Sequence, residues 1–244
     1  MTSTPVGMRC PECARERTPV KTIATLSDAP TVTYALIGLN VLVYLAVMLS
    51  GASPTGGGFG GSSLVEAWAV GRTGVGDGEL WRLVSAGFLH AQFFHLLLNM
   101  IALYVLGGQL EPAIGRVRFA LVYFVSLLAG SFGALLLTST GLTLGASGAV
   151  FGLMAAAAIV MHSRGISLME SGIGVWIALN LVFTFAIPGI SIGGHLGGLV
   201  GGALVALILF HGRAKAGIPA AAATALVVGI GLAAVGGSLL VSAS

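Results

Sequence analysis

The chain has 244 residues, of which 56% are hydrophobic and only 8% are charged. Soluble domains carry about a quarter charged residues, so this composition excludes a water-soluble globular protein and indicates an integral membrane protein. The formal net charge of +3 is explained by membrane topology and requires no nucleic-acid partner. Long apolar runs, rather than short segments of alternating polarity, favour a helical bundle over a β-barrel.

The amino-terminal segment, residues 1–32, is polar and predicts a cytoplasmic tail. It lacks an early apolar core followed by a small-residue cleavage site, so we expect no cleaved signal peptide. Its CPEC sequence contains Cys10 and Cys13, the only two cysteines of the chain. Two thiols supply half of the four ligands of a structural zinc site, so a zinc knuckle shared between copies and a pair of reduced thiols both fit. We predict no cofactor and no metal in the catalytic chemistry.

Seven apolar runs follow, and each is a candidate transmembrane helix. The predicted spans are residues 33–50, 93–110, 117–138, 147–162, 172–187, 195–211 and 219–242. About 20 apolar residues are needed to cross the hydrocarbon core, and the fourth and fifth runs are the shortest and richest in small residues. We expect residues 33–211 to form a six-span core, and residues 212–244 to add a cytoplasmic loop and a seventh helix.

The basic residues predict how these spans are oriented. With a cytoplasmic amino terminus, nine of the eleven basic residues lie inside, which satisfies the positive-inside rule. The nine are Arg9, Arg15, Arg17, Lys21, Arg116, Arg118, Arg164, Arg213 and Lys215. Only Arg72 and Arg82 lie outside. The carboxyl terminus then lies outside, and we expect a bacterial plasma membrane from the Ala-, Gly- and Val-rich composition.

The connection between the first two spans, about residues 51–92, is much longer than the others. A loop of this length in a compact protein usually has its own structure or function. Its first part is rich in glycine, whereas LVEAWAV and ELWRLVSAGFL are short amphipathic pieces. Their residues Trp68, Trp81 and Arg82 suit the membrane interface, so we expect a partly embedded loop.

The fourth and sixth spans carry polar residues at the same membrane depth. Ser147, in the stretch LGASGAVFG, begins the fourth span, and His195, in SIGGHLGGLVGG, begins the sixth. An ionisable residue inside a membrane is costly, which makes a functional role the default hypothesis for the histidine. Glycines spaced four apart follow both residues and let two helix backbones approach closely. If these faces meet, the imidazole can take the proton of the serine hydroxyl and make it a nucleophile.

A second histidine motif lies at the outer part of the second span. HLLLN places His95 and Asn99 four residues apart, on one helix face. The Asn99 amide is a donor suited to an oxyanion hole, together with free backbone N–H groups at the Ser147 helix start. We expect no Asp or Glu within any span, with Glu111 in a loop, and therefore a Ser–His dyad without an acidic third member.

Simpler structural roles are the alternatives for each of these residues taken alone. A serine at a helix start is more often an N-cap than a nucleophile, and a buried histidine or asparagine more often bridges helices. His162 and His211 lie at predicted cytoplasmic ends and are expected to be interfacial. At the level of function, a small-molecule transporter lacks support because no inverted repeat or midplane site is seen. A metal carrier lacks acidic or thiol partners within the spans.

The motifs together resemble the rhomboid intramembrane serine proteases. The resemblance rests on GASG around Ser147, on HxxxN at His95 and Asn99, and on the glycines that follow His195. It extends to the WR pair in the first loop, to His90, and to GGQLEPAIGRVRF after the second span. It covers the six-span core, and the seventh helix resembles a six-plus-one arrangement.

The resemblance implies a role for each matching residue. Ser147 would be the nucleophile and His195 the general base, and Asn99 and His95 would form the oxyanion hole with the Ser147 backbone N–H. His90 matches a position near the active-site water. The implied substrate is a single-pass membrane protein that enters from the bilayer near the fifth span, 172–187. A non-catalytic relative that binds membrane-protein clients is the alternative, and the oligomeric state is open.

Overall fold

The computed structural model describes residues 2–4, 7–9, 29–51, 62–212 and 216–243. Near the amino terminus, strand β1 (Thr2–Thr4) pairs antiparallel with strand β2 (Gly7–Arg9). Cys10 and Cys13 lie outside the described residues, so the zinc and thiol alternatives for the CPEC sequence both stay predictions.

Helices form nearly all the remaining regular structure that the described residues contain. They are α1 (Thr31–Leu49), α2 (Ser63–Trp68), α3 (Arg72–Gly76), α4 (Arg82–Ser85), α5 (Phe93–Ile114), α6 (Arg116–Leu137), α7 (Ser147–Ser163), α8 (Ile173–Ala186), α9 (Ile192–Ala206) and α10 (Ala220–Ser242). A 3-10 turn at Ala86–Phe88 follows α4, and a π-helical turn at Leu207–Gly212 extends α9.

Each of the seven predicted spans corresponds to one helix. Five of them, α1, α5, α6, α10 and α9 with its extension, are 19 to 23 residues long and apolar enough to cross a membrane. Helices α7 and α8 have 17 and 14 residues, or about 25 and 21 Å at 1.5 Å per residue, and correspond to the two runs that were marginal by sequence. The prediction of an all-α polytopic membrane fold is confirmed.

The prediction that Glu111 lies in a loop is wrong. Helix α5 continues to Ile114, four residues beyond the predicted end, and Glu111 is 2% exposed inside its last turn. The carboxylate accepts hydrogen bonds from the backbone N–H groups of Val32 and Thr33 and from the Thr33 hydroxyl, at 2.7 to 2.9 Å. A carboxylate at the start of α1 satisfies free N–H groups and favours the positive end of the helix dipole, which stabilises the buried acid.

The carboxyl-terminal ends of α5 and α7 also meet on the Glu111 side of the bundle. Arg164, directly after α7, donates a hydrogen bond to the carbonyl of Ala113 at 3.0 Å. The starts of α7 and α9, with Ser147 and His195, therefore lie toward the other end. This places the candidate site on the side opposite the predicted cytoplasmic turn.

Glycines form the contact among α6, α7 and α9. A Cβ on Gly198 would collide with the backbone of Gly148, and one on Gly202 would collide with the backbone of Gly152. On the other side of α9, Gly193 lies directly against the Gly133 carbonyl of α6. The predicted close approach of the fourth and sixth spans is thus confirmed, because only glycine leaves room for the neighbouring backbone.

The long first loop is held by its own hydrogen bonds. Arg82 bonds the Glu79 carboxylate at 2.5 Å and the carbonyls of Glu66 and Ala69 at 2.5 and 3.0 Å. The guanidinium thus stabilises the loop through internal hydrogen bonds. The sequence had suggested a position for Arg82 at the membrane interface. Trp68 and Trp81 are partly exposed, as an interfacial position requires.

The helices outside the glycine contact pack in two different ways. Helix α10 packs along α6 and reaches the first loop, where the Ser242 carbonyl lies against Gly76 of α3. Helix α8 is peripheral, because only Ile173 and Thr184 among its residues are buried. The core is formed mainly by α5, α6, α7 and α9, and residues of α1 and α10 also pack into it. Helix α8 is held at few points.

Candidate active site

Ser147 is the first residue of α7 and does not act as its N-cap. The N-cap position is Ala146, and no side-chain capping hydrogen bond is present. Gly145, two residues earlier, has φ of +124°, a conformation that favours glycine and turns the chain into the helix. The Ser147 side chain makes no hydrogen bond within the described part of the chain, so the capping alternative is not supported. The first N–H groups of the helix lack intrahelical partners at this point.

His195 packs against α7 one turn after the serine. Its ring stacks on Phe151 with 4.2 Å between ring centres and 22° between ring planes. Phe151 is four residues after Ser147 and so shares its helix face. Because Gly148 also lies against Gly194, the serine and the imidazole occupy neighbouring positions on facing helices. No hydrogen bond joins them among the described residues, and such bonds often form only with substrate present.

The second ring nitrogen of His195 has a partner that sequence reasoning missed. Its Nδ1 atom lies 2.7 Å from the hydroxyl oxygen of Thr184 on α8. Both residues are buried, with Thr184 1% and His195 8% exposed. Thr184 could not be found by motif, since a threonine inside a span usually bonds only its own helix. Phe151 could have been suspected from the sequence, because it is four residues after Ser147 and therefore lies on the same helix face.

His95 lies beside the serine, as the predicted oxyanion hole requires. A Cβ on Gly145 would be 2.8 Å from His95 Nε2 and 3.8 Å from Ser147 Oγ, so both atoms border the same small space. Asn99 is buried one turn further along α5 and donates one N–H of its amide to the His95 carbonyl at 2.9 Å. The other N–H remains for a further partner. No described contact joins Asn99 to Ser147.

His90 lies between the 3-10 turn and α5, just outside the span. It is 1% exposed, and its ring meets that of His95 edge-on at 5.0 Å between ring centres. Burial, with a smaller contribution from His95, lowers the pKa of His90 to about 3. His90 is therefore neutral at ordinary pH and packs behind His95.

A small cavity of about 30 Å³ lies behind the serine. Ser131, Gly145, Ser147 and Gly194 are among its lining residues. This volume suffices for one or two water molecules, and its walls supply polar partners. Water could thus be held within reach of the serine hydroxyl.

The described residues contain no group of three or more His, Cys, Asp or Glu side chains placed to hold a metal ion.

Comparison with known proteins decides the family. The family model of the Rhomboid domain matches residues 77–212, which is more than half of the chain. The chain belongs to the rhomboid family. This match includes all five candidate site residues, His90, His95, Asn99, Ser147 and His195.

Several curated proteins are similar to this rhomboid. "Rhomboid protease GluP" of Bacillus subtilis (strain 168) is 35% identical over 191 residues, covering 77% of this chain and 36% of GluP. "RHOMBOID-like protein 5" of Arabidopsis thaliana is 35% identical over 156 residues, covering 60% of this chain and 50% of the relative. The rhomboid-named protein YdcA of B. subtilis (strain 168) is 33% identical over 139 residues, covering 55% of this chain and 70% of YdcA. The chain thus spans a half or less of the length of GluP and RHOMBOID-like protein 5.

Proposed function

We propose that this rhomboid is an intramembrane serine endopeptidase with Ser147 as nucleophile and His195 as general base. The observation that carries the proposal is the placement of His195. It stacks on Phe151, one turn from a serine hydroxyl that has no partner among the described residues. The protease names of GluP and YdcA support the reaction class. A client-binding relative would have no need for a free serine beside a stacked imidazole.

The reaction would begin with attack of Ser147 Oγ on the carbonyl carbon of a substrate peptide bond. His195 Nε2 takes the hydroxyl proton as the Oγ–C bond forms, and the carbonyl π electrons move onto oxygen. The imidazolium then gives its proton to the leaving amine as the C–N bond breaks. Water, which the cavity behind Ser147 has room to hold, then attacks the acyl carbon while His195 Nε2 takes a proton from it. His195 gives that proton to Ser147 Oγ as the Oγ–C bond breaks and the new carboxylic acid leaves. Atoms and charge balance over the cycle.

The oxyanion would be stabilised by three groups around the serine. The Ser147 backbone N–H lies at the helix start, and the His95 ring borders the same space as the Ser147 hydroxyl. Asn99 would supply the amide N–H that it does not use on the His95 carbonyl. Donors fixed in a dry site stabilise developing charge more than water does, because they need no reorganisation.

Two features of the site support a membrane-protein substrate. The serine lies among helices of membrane length, and α8, which corresponds to the fifth span, is held at few buried points. A transmembrane segment of a single-pass protein would enter from the bilayer beside α8. Residues that weaken its helix would assist, because a helical carbonyl is shielded from attack. The proposal also includes a site that faces outward and a location in a bacterial plasma membrane. It divides the chain into an amino-terminal tail (1–32), a catalytic core (33–211) and a carboxyl-terminal loop and helix (212–244).

The test compares wild-type protein with Ser147→Ala in liposomes that contain a single-span substrate. We expect cleavage and labelling by a fluorophosphonate probe in the wild type, and loss of both in the variant. Ser163→Ala is the matched control, because it removes a hydroxyl from the far end of the same helix, where it bonds only the Val160 carbonyl. Cleavage that survives Ser147→Ala would overturn the proposal. Substrate binding without cleavage or labelling in folded wild type would favour the client binder.

A further inference from the structure

Thr184 is the buried polar contact between α8 and the candidate base. Most of α8 is exposed along its length, and its apolar side chains, including Val182, Phe183 and Phe185, face outward. Thr184 is 1% exposed, although it is flanked by these residues. A hydroxyl at such a position requires partners, because an unsatisfied polar group in an apolar setting costs free energy.

The two hydrogen bonds of Thr184 determine the tautomer of His195. The hydroxyl oxygen lies 2.7 Å from the Asn180 carbonyl and 2.7 Å from His195 Nδ1. A carbonyl can only accept, so the single hydroxyl proton is used on Asn180. The oxygen then has only lone pairs to offer His195, and Nδ1 must carry a proton. In the neutral ring, Nε2 is left with the free lone pair.

We propose that Thr184 is a positioning residue that fixes His195 as the Nδ1–H tautomer and orients its Nε2 toward Ser147. This inference rests on the proposed function, since it assigns the residue that orients the base of the serine–histidine pair. In serine hydrolases an acid usually takes this place, bonding Nδ1–H and orienting the ring. Here a hydroxyl that is polarised by a helix carbonyl replaces it, and no carboxylate is needed in the membrane.

The position of Thr184 also couples the base to α8. His195 is on α9, whereas its Nδ1 partner is on the helix beside which substrate would enter. Displacement of α8 separates the hydroxyl from the ring and leaves Nδ1 without its acceptor. The base is therefore fixed only while α8 is seated against the core.

The first test is kinetic and uses Thr184→Val, which keeps the shape of the side chain and removes the hydroxyl. We expect kcat to fall about tenfold or more, with KM within about twofold, and Thr184→Ser to recover most of the loss. Thr224→Val is the matched control, because Thr224 makes the same type of bond to its own helix at Ala220 but has no hydrogen bond to a histidine among the described residues. Unchanged kcat in a folded Thr184→Val protein would overturn the inference.

The second test reads the tautomer directly and does not depend on cleavage. Nitrogen-15 spectra of histidine-labelled protein in the Ser147→Ala background distinguish Nδ1–H from Nε2–H, and His195→Gln identifies the signal. We expect Nδ1–H for His195, and a mixture of tautomers after Thr184→Val. An Nε2–H ring in the Ser147→Ala protein would refute the inference without any variant at 184. A correct tautomer in a protein whose wild type neither cleaves nor labels would refute only the proposed function.

Discussion

At the scale of single residues, the side chains proposed to attack the substrate and those proposed to stabilise the oxyanion come from different helices. Ser147 and His195 come from α7 and α9, whereas His95 and Asn99 come from α5. The proposed nucleophile and base depend on packing of glycine-lined helices, and the two proposed side-chain donors to the oxyanion lie on one face of α5. Loss of a member of the first pair should end the reaction, and loss of a donor should only slow it.

Asn99→Ala tests the role of the amide donor. Loss of one oxyanion-hole donor typically raises the barrier by about 2.7–4 kcal/mol, so we expect kcat to fall about 10²- to 10³-fold with residual cleavage. The measurement is kcat on a single-span substrate, with folding checked by circular dichroism. Ser147→Ala is the reference for complete loss. If folded Asn99→Ala lost activity to the same extent as Ser147→Ala, Asn99 would have a role other than one donor among three.

At the scale of elements, the contact of α6, α7 and α9 shows what the sequence could predict. The glycines of α7 and α9 recur every four residues, which predicts a close helix contact without reference to coordinates. The partner helix was also predictable, because Ser147 and His195 lie at the same depth. The participation of α6 could not be predicted, since the stretch around Gly130 and Gly133 has no polar residue that indicates a function. Its place in the contact depends on how the three helix backbones pack together.

Gly198→Ala tests this contact. The added Cβ would meet the backbone of Gly148, which cannot move as a flexible side chain can, so we expect destabilisation of at least about 1–3 kcal/mol. Activity should fall as well, because α9 carries His195. The measurement is the thermal unfolding midpoint in detergent micelles.

Gly38→Ala is the matched control for this substitution. Gly38 lies in α1, and a Cβ there meets nothing within 4 Å. Exchange of a helical glycine for alanine in open space stabilises by about 0.5–1 kcal/mol. A Gly198→Ala protein as stable as Gly38→Ala would contradict the close contact between α7 and α9.

At the scale of the whole molecule, the bundle is tied at both ends by polar contacts that the sequence did not indicate. Glu111 joins the end of α5 to the start of α1, and Ser131 of α6 donates to the Leu83 carbonyl of the first loop at 2.8 Å. These bonds satisfy backbone groups that would otherwise be buried without partners. The buried His90 adds a pH dependence to the stability of the folded protein.

His90 makes the free energy of unfolding depend on pH. Its pKa is about 3 in the folded protein and about 6.5 when unfolded. The unfolded state therefore binds one more proton between these values. The stabilisation is complete above about pH 6.5 and declines as the pH falls, by about 2 kcal/mol between pH 7.5 and 5.

The measurement is the unfolding midpoint in detergent micelles at several pH values. His90→Gln should lose about 2 kcal/mol of the pH dependence over that range, because glutamine does not titrate. Ser163→Ala, near the end of α7, removes no titratable group and should keep the wild-type dependence. Equal pH dependence in wild type and His90→Gln would show that His90 takes up no additional proton on unfolding.

The sequence by itself determined the membrane class and the seven long helices, and it predicts the residues of the candidate dyad, because apolar runs and glycine spacing are local signals. It missed the last turn of α5, since an acid that follows an apolar run predicts an exit from the membrane. Only the tertiary structure decided that Glu111 is buried against α1 and that Thr184 of α8 holds His195. Both facts are hydrogen bonds between separate helices, and the geometry of such bonds depends on packing rather than on any pattern along one segment.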